Sequence, residues 1–173
     1  SSVSAYYTPT PPTRLPHPHN SSVLQVPRTA NRVFYFATTP EEEVDYYNWL
    51  YCDTPEYLAD PSPANYCYDY QTTVELITNQ ALVELWDFNV NATMFHMNNI
   101  NDYGGGRTLM SDFLESLYAK FNTYYNTDVP ILSLRTQEIG QHMRGRMAYD
   151  NSGAAGIIAC GNAITITTAQ PTR

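Results

Sequence analysis

Lysine is all but missing from this chain: Lys120 stands alone beside eight arginines. Between positions 33 and 106 there is no lysine or arginine at all, although this stretch holds twelve Asp and Glu residues. No apolar run approaches the length needed for a membrane-spanning helix. The G-x-S-x-G elbow, the H-E-x-x-H helix and the C-x-x-C pair are absent, which counts against the familiar hydrolase and redox signatures. With 9 basic residues against 17 acidic ones and a net charge of −8, the composition argues against a protein that grips nucleic acid through a general basic surface. What is present is a 173-residue chain that is 43% apolar and rich in tyrosine. That is enough for a domain with its own core and too apolar for a wholly disordered chain.

The charge is laid out in blocks. Residues 1–32 carry Arg14, Arg28 and Arg32 and no acid, for +3; residues 33–106 carry −12; residues 107–173 carry six bases and five acids, for +1. An acidic block without cations cannot neutralise itself through local helix pairs. Its carboxylates must face water, bind metal, or meet arginines from elsewhere in the fold or from another chain. Arginine in place of lysine favours fixed ion pairs over mobile solvated charge, and interfaces enrich Tyr and Arg while depleting Lys.

Half of the 12 prolines are crowded at the start of the chain, from Pro9 to Pro27. Proline at this density removes backbone donors and favours extended polyproline conformations. Residues 1–31 therefore read as an extended basic arm, 32–151 as a mainly helical core domain, and 152–173 as a small-residue tail with a strand-like run. No internal repeat is apparent. The first residue, Ser1, fits removal of an initiator Met, cleavage of a leader or truncation equally well.

The fold class expected is mainly α, with α+β as the alternative. Residues 22–26 and 32–37 (RVFYFA) have strand composition. Thr39-Pro40 followed by Glu41, Glu42 and Glu43 is a helix start, with an N-cap, a proline at the first position and acids at the positive end of the dipole. Capping explains the three glutamates better than a metal or acid site does. In that helix Val44, Tyr47, Leu50 and Tyr51 share the expected core face. Thr54-Pro55-Glu56 repeats the start signal for a short turn. Thr72 and Glu75 fit a capping box, opening a helix over 73–87 with Val74, Ile77, Ala81, Leu82, Leu85, Trp86 and Phe88 at helical spacing. A further helix spans about 108–125 on the face of Met110, Phe113, Leu114, Leu117, Tyr118, Phe121 and Tyr125. Another covers 136–147, an extended piece lies at 131–134, and 163–168 (AITITT) is a β-like run suited to an exposed sheet edge.

Several groupings carry candidate chemistry. Gly104-Gly105-Gly106-Arg107 opens a helix and could hold an anion on free amides, but it matches neither a P-loop nor a dinucleotide fingerprint. An internal ion pair for Arg107 is the stronger reading. Arg107, Lys120, Arg135, Arg144 and Arg146 are the cations available for a local RNA-binding patch, which nearby phosphates would sense before distant acids. Glu138 and His142, one helical turn apart, and His17 and His19, in alternate positions, are metal-compatible pairs. Neither has the further Cys or His ligands that make a zinc motif specific, so no metal and no cofactor is expected. His96, between Phe95 and Met97, reads as semi-buried. Cys52 and Cys67 could bridge the proline-rich excursion between them, contributing about 3 kcal/mol in the chain-entropy picture. Cys160, in an apolar run, reads as a buried thiol. The sequons at Asn20 and Asn91 matter only if the chain is secreted.

In its size, initial Ser1, single Lys120, net acidity, helical core and small-residue tail, the chain resembles the coat proteins of helical, rod-shaped viruses. In its extended N-terminal segment and helical body it is similar to capsid proteins of small double-stranded RNA viruses. The resemblance lies in composition and layout, and no family residues carry over. It implies a structural, self-assembling subunit of a virion, not an enzyme. Copies of the same chain are the partners, RNA is a candidate partner through the Arg patch, and membrane is not expected. Assembly would work by laying the arm, with Arg14, Arg28 and Arg32, on a neighbour's acidic surface. The alternative is a secreted binding module or small hydrolase held by a disulfide.

Overall fold

A computed structural model describes residues 16–17, 19–87, 89–125, 128–153, 155–158 and 164–167. Arg14, Phe88, Cys160 and most of the arm therefore lie outside the described residues. Among the described residues the architecture is mainly α, with six short strands in three two-stranded sheets. The chain forms two compact units: Ser1–Pro27 with Val90–Ala92 and Ser133–Arg173, and Arg28–Asn89 with Thr93–Leu132.

The first unit holds β1 (Pro16–His17) antiparallel to β2 (Asn20–Leu24). It also holds helix α5 (Thr136–Asp150) and the antiparallel pair β5 (Ala155–Ile158) and β6 (Ile164–Thr167). The strand expected at 163–168 thus forms, and its partner is β5 of the same chain rather than an outside edge. Within α5, Ile139 and Met143 are buried one turn apart.

The second unit is the helical one. It contains β3 (Arg28–Ala30), α1 (Pro40–Tyr51), α2 (Pro55–Ala59), α3 (Tyr70–Trp86), all but the first residue of β4 (Ala92–Met94), and α4 (Leu109–Tyr124). Its core is Val33, Ala37, Tyr47, Ile77, Leu82, Leu109, Phe113, Leu117 and Phe121. Cross-pairs fix the direction of the two long helices. Tyr70 meets Asp112, Thr78 meets Ser116, Asn79 meets Lys120 and Trp86 meets Tyr124, so α3 and α4 run parallel. Parallel neighbours need a return crossover, which here carries β4 and a 3-10 turn, Met97–Ile100.

The helix starts follow the capping signals. Thr39 accepts from Glu42 N at 3.3 Å, Thr54 from Tyr57 N at 3.4 Å, and Thr108 from Ser111 N at 3.0 Å. The Thr72 box does not cap: α3 begins earlier, because the Asp69 carboxylate takes the Thr72 amide at 2.8 Å. The RVFYFA strand does not form either. Its polar groups are satisfied by side chains instead: Glu43 accepts from Phe34 N at 3.0 Å, Asn99 donates to Phe34 O at 2.8 Å and Ala37 O at 3.2 Å, and Asn98 donates to Phe36 O at 3.3 Å. With its donors and acceptors so engaged, the segment has no need of a ladder partner. Arg32, at φ 65°, also turns the chain where an extended strand would run straight. No regular structure is present at 131–134.

Candidate functional site

Helix α1 presents an unusual division of residues. Its inward side buries Glu43, Tyr47 and Asn48. Asn48 is completely enclosed and donates to Val44 O and Tyr68 O at 2.9 and 2.8 Å while accepting from Tyr68 N at 3.0 Å. This ties α1 to the segment leading into α3. Glu43 is equally enclosed: Oε2 takes the Phe34 amide, and Oε1 is buried without a hydrogen bond. Burial pushes its carboxyl up to about 7. A disulfide joins Cys52, just after α1, to Cys67, with Cα atoms 5.5 Å apart. These anchors set the rotation of α1, and they turn Leu50 and Tyr51 outward, against the core face expected from periodicity.

The outward side therefore carries the aromatic residues. Trp49 is 72% exposed and Tyr46 40% exposed, with Leu50 beside them. At spacing 42, 46, 49 and 50, Glu42, Tyr46, Trp49 and Leu50 lie along one stripe of the helix. The aromatic surface continues onto the irregular segment before α1. The rings of Tyr46 and Phe36 lie 3.9 Å apart, those of Phe36 and Tyr35 4.7 Å, and those of Tyr35 and His96 5.6 Å. His96 is exposed, not semi-buried, because its ring lies against Tyr35 on the surface. A second outward cluster sits on α3 and α4, where Trp86 meets Tyr124 edge-on at 5.2 Å beside exposed Val83.

The triglycine turn is a filled site. Gly105 and Gly106 adopt φ 65° and 78°, values that favour glycine. The resulting concavity of amides is occupied by the protein's own anion: Asp102 accepts from Gly104 N at 2.7 Å and Gly106 N at 3.1 Å. Arg107, the first cation after the acidic block, pairs with Asp112 and with Glu115, the latter at 3.1 Å. Buried Asp112 also accepts from the hydroxyls of Tyr70, at 2.6 Å, and Tyr103. Burial, with Asp112 as second cause, raises both tyrosines above the usual phenol range. Hydrogen bonds to Tyr103 and then Asp112 raise Arg107. The internal ion pair favoured for Arg107 is present, and the amides that a phosphate would need are engaged.

The other expected cations divide between the two units. Lys120 donates to Glu75 O at 2.7 Å and Asn79 Oδ1 at 2.6 Å, clasping α3 to α4, and burial lowers its pKa. Arg144 donates to Ser22 O at 2.9 Å within the first unit. Arg146 follows two positions later on α5, on a different side of the helix, and Arg135 precedes that helix. Arg28 opens β3, and it and Arg32 fall within the helical unit. Glu138 accepts from Arg135 N at 2.6 Å as a helix cap, not as a ligand paired with His142. Among the described residues no three His, Cys, Asp or Glu side chains are grouped to hold a metal.

The acids of the middle block serve local donors. Asp45 accepts from Tyr66 OH at 2.6 Å, raising that phenol to about 12 through the hydrogen bond first and burial second. Glu42 accepts from Thr38 N at 2.7 Å, and this bond above all lowers its pKa. Asp60 accepts from Ser62 Oγ at 3.1 Å. Sequence reasoning missed the outward Trp49 face, since a tryptophan on a helix ordinarily signals core. A stripe of Glu, Tyr, Trp and Leu was nonetheless there to be read. No helix among the described residues is long and apolar enough to cross a membrane. Comparison with family models, with curated proteins and with solved structures finds no match for this chain.

Proposed function

We propose that the chain is a structural subunit that assembles with copies of itself, in the manner of a virus coat protein. One observation carries the reading: α1 buries Glu43 and Asn48 and leaves Trp49, Tyr46 and Leu50 in water. A contiguous aromatic surface of this kind is what interfaces enrich and what a chain acting alone avoids. The Cys52–Cys67 bridge fits an oxidising setting, which includes virion surfaces. RNA is not required by this reading, because Arg107 and Lys120 already serve the fold. The test is mass in solution by light scattering together with the ratio of nucleic-acid to protein absorbance in the ultraviolet. Particles many times the mass of one chain are expected, and a protein-like ratio would remove RNA as a partner. A monomer at every concentration would sink the proposal.

The same disulfide favours a second reading, a secreted binding module. Its distinguishing mark is a glycan on Asn20, whose side chain is exposed and accepts from Ser22 Oγ at 2.6 Å. Intact mass of the native protein separates the two.

A further inference from the structure

The outward stripe of α1 begins at Glu42, Asp53 follows two residues after the helix ends, and the sequence has no lysine or arginine between positions 33 and 106. Two copies of this face set against each other would bring like charges together. The face therefore calls for an occupant that is basic, or at least free of acid, and able to lie on aromatic rings. The chain itself contains one. Positions 9–14 read Pro9-Thr10-Pro11-Pro12-Thr13-Arg14, within the acid-free stretch that runs from Ser1 to Arg32. The spacing is Pro-x-x-Pro-x-Arg, and Pro-x-x-Pro segments dock as preformed polyproline helices on aromatic-lined surfaces, at low entropic cost.

We propose that residues 9–14 of one copy dock on the outward face of α1 of a second copy, with the prolines on Tyr35, Phe36, Tyr46 and Trp49 and Arg14 directed to an acid at the end of the stripe. The inference rests on the assembly reading and names its acceptor surface. Lengths are compatible: the five steps from Pro9 to Arg14 would span about 16 Å as a polyproline helix, and α1, at 12 residues, is about 18 Å long. Chemistry agrees as well. Proline rings pack on Trp and Tyr without any side-chain ordering of their own, and a guanidinium meets a carboxylate with geometry that lysine cannot supply. An RNA strand is the wrong occupant, because Glu42 and Asp53 would repel its phosphates.

The experiment has two arms on the full-length protein. In the first, a fluorescent peptide of residues 6–19 is titrated by anisotropy against the wild type and Trp49→Ala. Docking gives saturable binding that weakens about tenfold or more in Trp49→Ala, and that weakens likewise when the peptide carries Pro12→Ala and Arg14→Glu. Equal affinity for wild type and Trp49→Ala, or no binding, overturns the docking surface. In the second arm, sedimentation velocity follows Trp49→Ala, the Pro12→Ala/Arg14→Glu chain and the triple variant. Docking between copies lowers association in each, and the triple variant loses no more than the larger of the two separate changes. Assembly that persists unchanged in the arm variant overturns the inference and leaves the assembly reading standing. A monomeric wild type overturns the exchange between copies and the assembly reading together, even where the peptide binds.

Discussion

Helix α4 buries Leu109, Phe113, Leu117 and Phe121 and turns Glu115 and Thr123 to solvent, whereas α1 buries Glu43, Tyr47 and Asn48 and turns Tyr46, Trp49 and Leu50 outward. In the first, the main apolar stripe is the core, and the polar Asp112 at its start is surrounded by Tyr70, Tyr103 and Arg107, although Tyr118 and Tyr124 are exposed. In the second, the inward side is held by polar anchors that satisfy irregular backbone, and its apolar area remains in water. A helix that commits its inward side to hydrogen bonds leaves its aromatic residues for something else to cover. The polar anchoring of α1, which leaves Tyr46, Trp49 and Leu50 in water, is the basis of the assembly proposal.

Breaking α4 should unfold the helical unit. Phe113→Ala removes an enclosed ring that packs edge-on against Phe95 at 5.4 Å. It is expected to destabilise by about 3–5 kcal/mol, read as a lower urea midpoint at unchanged slope.

Asp112→Ala comes next, at about 3 kcal/mol. It strips two tyrosine hydroxyls and Arg107 of their common acceptor. Loss of less than ~1 kcal/mol in urea titration would mean the cluster is ornamental to stability.

On α1 the polar anchor gives a pH signature. Burial raises Glu43 from 4.5 to about 7, so the folded state holds a proton that the unfolded state has already released. Stability from this group is fully present below pH 4.5 and is lost as the pH rises to about 7, at up to ~1.4 kcal/mol per unit. Glu43→Gln should flatten that window and leave the variant the more stable protein at alkaline pH, measured by urea midpoints across the range. A steeper fall in the variant would contradict the assignment.

The sequence carried the helices well, because caps are local. Thr39-Pro40, Thr54-Pro55 and Thr108 act within three residues, and all three starts appear where their chemistry puts them. What it could not carry were the partners of Asn48 and Asn99. Tyr68 lies 20 residues from the first, and Phe34 lies 65 residues from the second. Those bonds rotate α1 and dissolve the strand that RVFYFA composition favours, and neither effect is visible in a local window. The ion pair of Arg107 was legible for the opposite reason, since Asp112 and Glu115 follow it at close range. Of the candidate site, the acidic block was legible. The exposure of Trp49 was not.

The smallest effect on stability belongs to Trp49→Ala, and it bears most directly on the proposal that α1 is a contact helix. Replacing a side chain that is 72% exposed should change stability by no more than about 0.5 kcal/mol. The decisive measurement is sedimentation velocity of wild type and Trp49→Ala over a range of concentration, beside their thermal unfolding curves. Oligomers for the wild type, a much weaker association for the variant and coincident melting curves are the expected result. A wild type that stays at the mass of a single chain, or a variant that assembles as well as the wild type, would contradict it.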